Sequence, residues 1–237
     1  MFTCPSAATA MLVAFQPVAA VEEVIIGTEA SSYPPYIIVS PGRSVSGFEK
    51  ELADEVCERA SLQCSWDFAV FEDLLPGVAS GRFDIVLGGI AVTDERKKEV
   101  DFSLSYGDPS DTIFFLGRPG APTFDTATIG VQSGTIFESF VQNEHLSYRS
   151  YLTIDSLIAG AVAGEFDLLL SSLPQSDRSR LTNENGFVEK GSATIPDHGT
   201  AMAVCKGNTE LKGRIDTALK AMMLDGTLET ISDRWFP

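Results

Sequence analysis

Leu74-Leu75-Pro76-Gly77-Val78-Ala79-Ser80-Gly81-Arg82-Phe83-Asp84-Ile85-Val86-Leu87 recurs 83 residues later as Leu157-Ile158-Ala159-Gly160-Ala161-Val162-Ala163-Gly164-Glu165-Phe166-Asp167-Leu168-Leu169-Leu170. Six of the fourteen positions are identical, and they include all the fixed letters of Gly-x-Phe-Asp, which makes a chance likeness of two helix-to-strand junctions the weaker reading. Each copy reads as a helix closed by glycine, followed by a short apolar run of the kind found in strands buried on both faces. The repeat therefore predicts an α/β chain of two similar α/β lobes. A polar turn follows each copy, Gly88-Gly89 in the first and Ser171-Ser172 in the second. If the lobes face each other, these turns lie across one cleft.

The first turn leads into Gly88-Gly89-Ile90-Ala91-Val92-Thr93-Asp94-Glu95-Arg96-Lys97-Lys98-Glu99-Val100-Asp101-Phe102-Ser103. Thr93 is placed as an N-cap, Asp94 and Glu95 are acids in the first helical turn, and Arg96 follows on that turn. Strand end, small-residue turn and helix start present free backbone N–H groups and one guanidinium to the same space. Such a corner suits a carboxylate, because the arginine fork can hold both oxygens while N–H groups near Gly89 and Ala91 satisfy the remaining lone pairs. On spacing alone, Arg96 reads equally well as a solvated helix charge.

Outward from this core, Val24-Ile25-Ile26-Gly27-Thr28 reads as the first buried strand, ending in the loop Glu29-Ala30-Ser31-Ser32-Tyr33-Pro34-Pro35-Tyr36. Its prolines are expected to hold the loop extended and to project Tyr33 at the strand's C-terminal end, where open α/β sheets bind ligands. Ser46-Gly47-Phe48-Glu49 has capping-box spacing, and Phe48, Leu52, Val56 and Ala60 then share one helical face. Trp66 to Val70 is a strand with Phe71 at its end. Thr112 to Gly117 leads out of the first lobe, a Pro/Gly-rich link follows, and Thr128 to Val131 begins the second. Gln132-Ser133-Gly134-Thr135 opens a helix as a second N–H-rich turn. His198 to Cys205 returns, and helices bearing Leu211, Ile215 and Leu219 and then Asp225-Gly226-Thr227 close the chain. The expected organisation is a leader over 1–20, lobe one over 21–111, hinge strand 112–117, lobe two over 118–197, return hinge strand 198–205, and lobe-one helices over 206–237.

Acids outnumber bases 33 to 17, a formal charge of −16. That balance argues against nucleic acid, whose phosphates need basic patches, and against an anionic membrane surface. Ala7 to Phe15 is an apolar run too short to span a membrane, and Val18-Ala19-Ala20 supplies small residues before a cut, so the start resembles a secretory signal peptide cleaved after Ala20. No Lys or Arg precedes the run. Of four cysteines, Cys205 in an apolar run is expected as a small buried residue. A zinc site is not expected, because no second cysteine pair or histidine cluster accompanies Cys57 and Cys64; nor is a cofactor.

Gly89-Ile90-Ala91-Val92-Thr93-Asp94-Glu95-Arg96-Lys97-Lys98-Glu99-Val100-Asp101-Phe102-Ser103 resembles the signature of the amino-acid-binding proteins of bacterial ABC importers, a family with the type II periplasmic-binding-protein fold. Tyr33-Pro34-Pro35-Tyr36, Gly47-Phe48-Glu49, Gly130-Val131-Gln132-Ser133-Gly134-Thr135 and Asp225-Gly226-Thr227 stand at the family's other landmarks, so the resemblance runs from Val24 to Phe236. It implies two lobes joined by a two-strand hinge, with Arg96 gripping a ligand carboxylate and Tyr33 and Phe71 flanking the remainder. Gln132, Thr135 and Ser172 would complete the cage from lobe two. It also implies a Cys57–Cys64 disulfide, as in some members, in a periplasmic and so oxidising setting. Two positions depart from the family. Ser172 stands where an Asp usually pairs with the ligand α-ammonium, and Ala91 where many relatives have Thr or Ser. Either Glu29 takes over the ammonium, or the ligand nitrogen is substituted, cyclic or absent; the sequence leans to the second.

Three functions are compatible with these features. The first is a monomeric binding module that captures a polar amino acid or related small carboxylate and delivers it to the permease of an ABC importer. The second is an enzyme like the cyclohexadienyl dehydratases that share the fold, for which Glu29 or Asp197 would be the general acid. The third is the ligand-sensing part of a signalling complex. With only His145 and His198, the chain offers no obvious nucleophile-and-base constellation, and the binding module is the reading preferred.

Overall fold

The computed structural model describes residues 22–109 and 112–236; the leader and its cut after Ala20 lie outside them. In chain order the first lobe contains β1 (Glu22–Glu29), β2 (Ile38–Val39), β3 (Val45–Ser46), α1 (Phe48–Arg59), β4 (Leu62–Ala69), α2 (Leu74–Ala79), β5 (Ile85–Val86), α3 (Arg96–Glu99) and β6 (Val100–Phe102). The second contains β7 (Thr112–Gly117), β8 (Ile129–Gln132), α4 (Ile136–Asn143), β9 (Tyr148–Tyr151), α5 (Ile154–Ala163), β10 (Leu168–Leu170), α6 (Gln175–Ser179) and β11 (Val188–Thr194). The chain then returns to the first lobe with β12 (Ala203–Cys205), α7 (Thr209–Asp225) and α8 (Thr227–Trp235).

Two five-stranded sheets follow, in the orders β4-β1-β5-β12-β6 and β11-β7-β10-β8-β9. The sequence repeat maps onto their centres. In each sheet three parallel strands, β4-β1-β5 or β9-β8-β10, are joined by one antiparallel strand, β12 or β7. The Gly-x-Phe-Asp letters explain why. A Cβ placed on Gly27 would fall 2.5 Å from the Phe83 ring, and one on Gly130 would fall 2.3 Å from the Phe166 ring. Each phenylalanine thus lies on a bare strand glycine. Each aspartate accepts the N–H two residues before that glycine, Asp84 from Ile25 at 2.8 Å and Asp167 from Thr128 at 2.8 Å.

Both sheets are covered on both faces, which is why their central strands lack alternation. Val24, Ile26, Phe48, Leu52, Val56, Ile215 and Leu219 fill one side of the first sheet beneath α1 and α7; Leu74, Val78, Phe83, Val86 and Ile90 fill the other beneath α2. The strands read from sequence as hinges are each full members of a sheet, β7 in the second and β12 in the first. The chain returns to the first lobe just after β11. There Thr200 bridges Ala91 and Gly107, which fastens the return crossing to the first lobe.

Three local expectations change. The capping box at Ser46 does not form. Gly47 is the N-cap at φ 115°, with no side-chain cap bond, and the first-turn N–H groups of Phe48 and Glu49 donate instead to the carbonyls of Pro35 and Tyr36. The proline loop is not extended. Tyr33 and Ile37 exchange N–H···O bonds of 2.7 and 3.1 Å, so the prolines sit at the tip of a tight reversal, which their fixed φ also permits. Cys205 is half-buried rather than buried. The implied Cys57–Cys64 disulfide is present, joining the last turn of α1 to the third residue of β4.

Closing so short a loop restricts the unfolded chain by about 2.5 kcal/mol. Replacing both cysteines by serine is expected to lower the melting temperature by several degrees in thermal denaturation. The pair lies beneath α1, away from the cleft, so the secondary-structure signal of the native state should not change.

Candidate functional site

All nine residues singled out from the sequence, Glu29, Tyr33, Phe71, Gly89, Ala91, Arg96, Gln132, Thr135 and Ser172, line one cavity between the lobes, together with Tyr36, Asp108, Asp197 and Thr200. Its volume is about 130 Å³. That is small against the roughly 300–1,000 Å³ of drug-sized sites and places the site in the range of small metabolites rather than larger ligands. The positions follow from topology. Glu29 ends β1, Gly88-Gly89 follows β5, Gln132 ends β8, and Ser171-Ser172 follows β10. All sit at carboxyl ends of parallel strands, where helices no longer cover the sheet edge.

Arg96 reaches the cavity from a single helical turn, not from the longer helix its surroundings suggest. The N-cap of that turn is Glu95, without a side-chain cap bond, rather than Thr93, whose Oγ1 accepts the Arg96 N–H at 3.2 Å from just before the turn. The guanidinium donates through Nη1 to the Ala91 carbonyl at 2.8 Å and through Nη2 to the Gly134 carbonyl of the other lobe at 3.0 Å. Loss of hydration brings its pKa down to about 10, with Asp197 opposing the shift from a distance. No carboxylate among the described residues forms an ion pair with it, so it faces the cavity as a desolvated cation with N–H donors to spare.

Glu29 is 5% exposed, and its Oε1 accepts from Gln132 Nε2 across the cleft at 2.8 Å. Burial pushes its carboxyl up to about 7, against the lowering effect of hydrogen bonds from Gln132 and Ser31. Tyr33 stacks on Tyr36 with ring centroids 5.5 Å apart, and its phenol engages Ser172 of the second lobe. Thr135 lines the cavity while its hydroxyl is occupied, donating to the Gln132 carbonyl at 2.7 Å and capping α4 at the Glu138 N–H. Asp197, Asp108 and Glu29 give the lining three acids against one base.

Sequence reasoning missed Glu49. It is fully buried on α1, and its Oε1 accepts the Tyr106 hydroxyl at 2.6 Å and the Gly89 N–H at 2.9 Å. It therefore holds the Gly88-Gly89 turn from below and takes up the very N–H that had been assigned to a ligand. Burial raises its carboxyl to about 7, opposed by these hydrogen bonds. The capping-box spacing hid the residue; only the long-range partners show its task. Among the described residues no group of three or more His, Cys, Asp or Glu could hold a metal ion, and no helix is long and apolar enough to cross a membrane.

The chain is similar to known solute-binding proteins. Residues 24–237 match the family model of bacterial extracellular solute-binding proteins, family 3. The chain is 27% identical over 226 residues to the ABC transporter arginine-binding protein 1 of Escherichia coli K12, covering 92% of both. It is 27% identical over 234 residues to the L-arginine-binding protein of Pseudomonas aeruginosa, covering 92% of this chain and 89% of that one. Among solved structures it resembles a periplasmic His/Glu/Gln/Arg/opine family-binding protein of Silicibacter pomeroyi in complex with lysine, with TM-score 0.78, 30% identity, and coverage of 90% and 96%. The chain belongs to family 3 of the bacterial extracellular solute-binding proteins, a family of binding proteins rather than dehydratases.

Two buried carboxyls with raised pKa set a pH dependence. A carboxyl that titrates near 7 in the native state and near 4.5 when unfolded binds more protons in the native state between those values. Its stabilising effect is complete below pH 4.5 and is lost as pH rises through 7. The ligand-free melting temperature is expected to fall by several degrees from pH 5.5 to pH 8.5, and the Glu29→Gln variant should show a smaller fall. An identical fall in wild type and variant would remove Glu29 as a contributor.

Proposed function

We propose that the interlobe cavity captures an amino acid with a cationic side chain and that the protein delivers it, as a periplasmic monomer freed of its leader after Ala20, to the permease of an ABC importer. The observation that carries this reading is the charge pattern of one cavity. A desolvated Arg96 without a carboxylate partner shares it with Glu29, Asp108 and Asp197. A ligand carboxylate completes Arg96, and an excess of positive charge on the remainder of the ligand balances the acids. The faces of Tyr33 and Phe71 suit a guanidinium or ammonium group. Two relatives are named for arginine and a third was solved with lysine, which supports the same class.

On this reading the ligand carries a free α-ammonium, contrary to the expectation from sequence. Ser172 engages the Tyr33 phenol, and the buried Glu29 carboxylate, with Gln132 holding one oxygen, is the anion available to an ammonium. An ammonium left with hydroxyl groups alone would cost several kcal/mol of binding.

Isothermal calorimetry with L-arginine, L-lysine and L-ornithine tests the proposal. Arg96→Ala is expected to weaken binding by about a hundredfold or more, since a charge-assisted bidentate contact is lost. Glu29→Gln should cost about tenfold and flatten the rise in affinity between pH 5.5 and pH 8.5 that accompanies its ionisation. Affinity for all three ligands within about threefold of wild type in Arg96→Ala would overturn the carboxylate-clamp role.

A further inference from the structure

The Gly134 turn of the second lobe touches the first lobe at a place where no side chain fits. Gly134 has φ +74°, and a Cβ built on it would fall 2.5 Å from the Glu72 Cα, 2.8 Å from its Cβ and 3.2 Å from its backbone nitrogen. These are mainly backbone atoms of the short turn Phe71–Asp73, so the neighbour cannot swing aside as a long side chain would. The same residue offers its carbonyl to Arg96 Nη2 at 3.0 Å, while Nη1 is held by the Ala91 carbonyl of the first lobe. The turn is itself fastened within lobe two: the Gly134 N–H donates to Glu138 Oε2 at 2.8 Å, and Glu138 Oε1 accepts from Ser150.

We infer that Gly134 is a positioning residue for Arg96: its missing side chain lets the lobes meet at Glu72, and that meeting brings the carbonyl that fixes the guanidinium over the cavity. The inference rests on the reading of Arg96 as the carboxylate clamp. Orientation of the clamp and closure of the lobes are then one event. Before closure the guanidinium has only the Ala91 carbonyl as a fixed acceptor and can rotate about it. After closure it is held at two corners, one from each lobe, and its remaining donors are aimed. A side chain at 134 keeps the turn away from Glu72, takes the carbonyl out of reach, and lowers the fraction of molecules competent to hold a carboxylate.

Two variants separate this from local strain. Gly134→Ala introduces both the contact with Glu72 and a disfavoured positive φ, whereas Gly134→Asn introduces the same contact with a residue that tolerates positive φ. Both are expected to weaken L-arginine binding roughly tenfold or more, with the ligand-free melting temperature little changed in the Asn variant. Small-angle scattering at saturating arginine should give both variants a larger radius of gyration than wild type. Wild-type affinity in either variant, or full recovery in the Asn variant alone, overturns the inference while leaving the proposed function intact. Failure of wild type to bind any cationic amino acid counts against the proposed function instead. In that event a crystal structure of Gly134→Ala decides the inference alone: the turn should stand off from Glu72 with the Arg96 to Gly134 bond absent, and an unmoved turn with that bond intact overturns it.

Discussion

In both lobes one phenylalanine ring lies on the bare Cα of a strand glycine, and the placement of the site depends on that contact. Phe83 on Gly27 and Phe166 on Gly130 fix the helix-to-strand junction against the neighbouring parallel strand, and Asp84 and Asp167 lock the register by accepting the N–H two residues before each glycine. Once that register is set, the ends of β1 and β5 and of β8 and β10 stand side by side. Glu29, Gly89, Gln132 and Ser172 then have no freedom to be anywhere but the cleft rim. A larger residue at either glycine would push the junction outward and would shift the functional turns with it, because protein interiors transmit such displacements rather than absorb them.

The cleft itself is organised by desolvation. Arg96 meets carbonyl dipoles from both lobes instead of a carboxylate, and Glu29 meets an amide instead of a cation. Each charge is thus held in place by neutral groups that do not neutralise it. A fully paired cleft would be more stable when empty and would bind less, since a ligand would have to displace existing ion pairs. The raised carboxyl of Glu29 and the lowered guanidinium of Arg96 are the two sides of that arrangement.

The repeat made the two lobes legible in the sequence, because helix, glycine, aromatic, acid and strand are local signals with a fixed spacing. Arg96 was legible for the same reason: the glycine turn and the guanidinium lie within nine residues, although the N-cap is Glu95 and not the expected Thr93. Glu49, Tyr36 and the Gly134 to Glu72 contact were not. Glu49 meets Gly89 forty residues away and Tyr106 at fifty-seven, and its spacing from Ser46 imitates a cap that the structure does not make. Gly134 reads as turn chemistry; nothing local says that another lobe presses on it. The single-turn length of α3 was also hidden, since Val100 to Phe102 joins the first sheet and ends the helix by tertiary pairing.

The position of β12 has a consequence for how the chain comes to be folded. It lies between β5 and β6, so the first sheet is divided until residues 203–205 arrive, whereas the second sheet is built entirely from the continuous stretch 112–194. α7 and Phe236, at the far end of the chain, also pack onto α1 and Tyr36. A chain emerging from its N-terminus can therefore complete the second lobe first, while the first lobe waits with an open strand edge and uncovered apolar faces. The core of the first lobe therefore closes only when the tail of its own chain arrives, after the second lobe already holds every strand of its sheet.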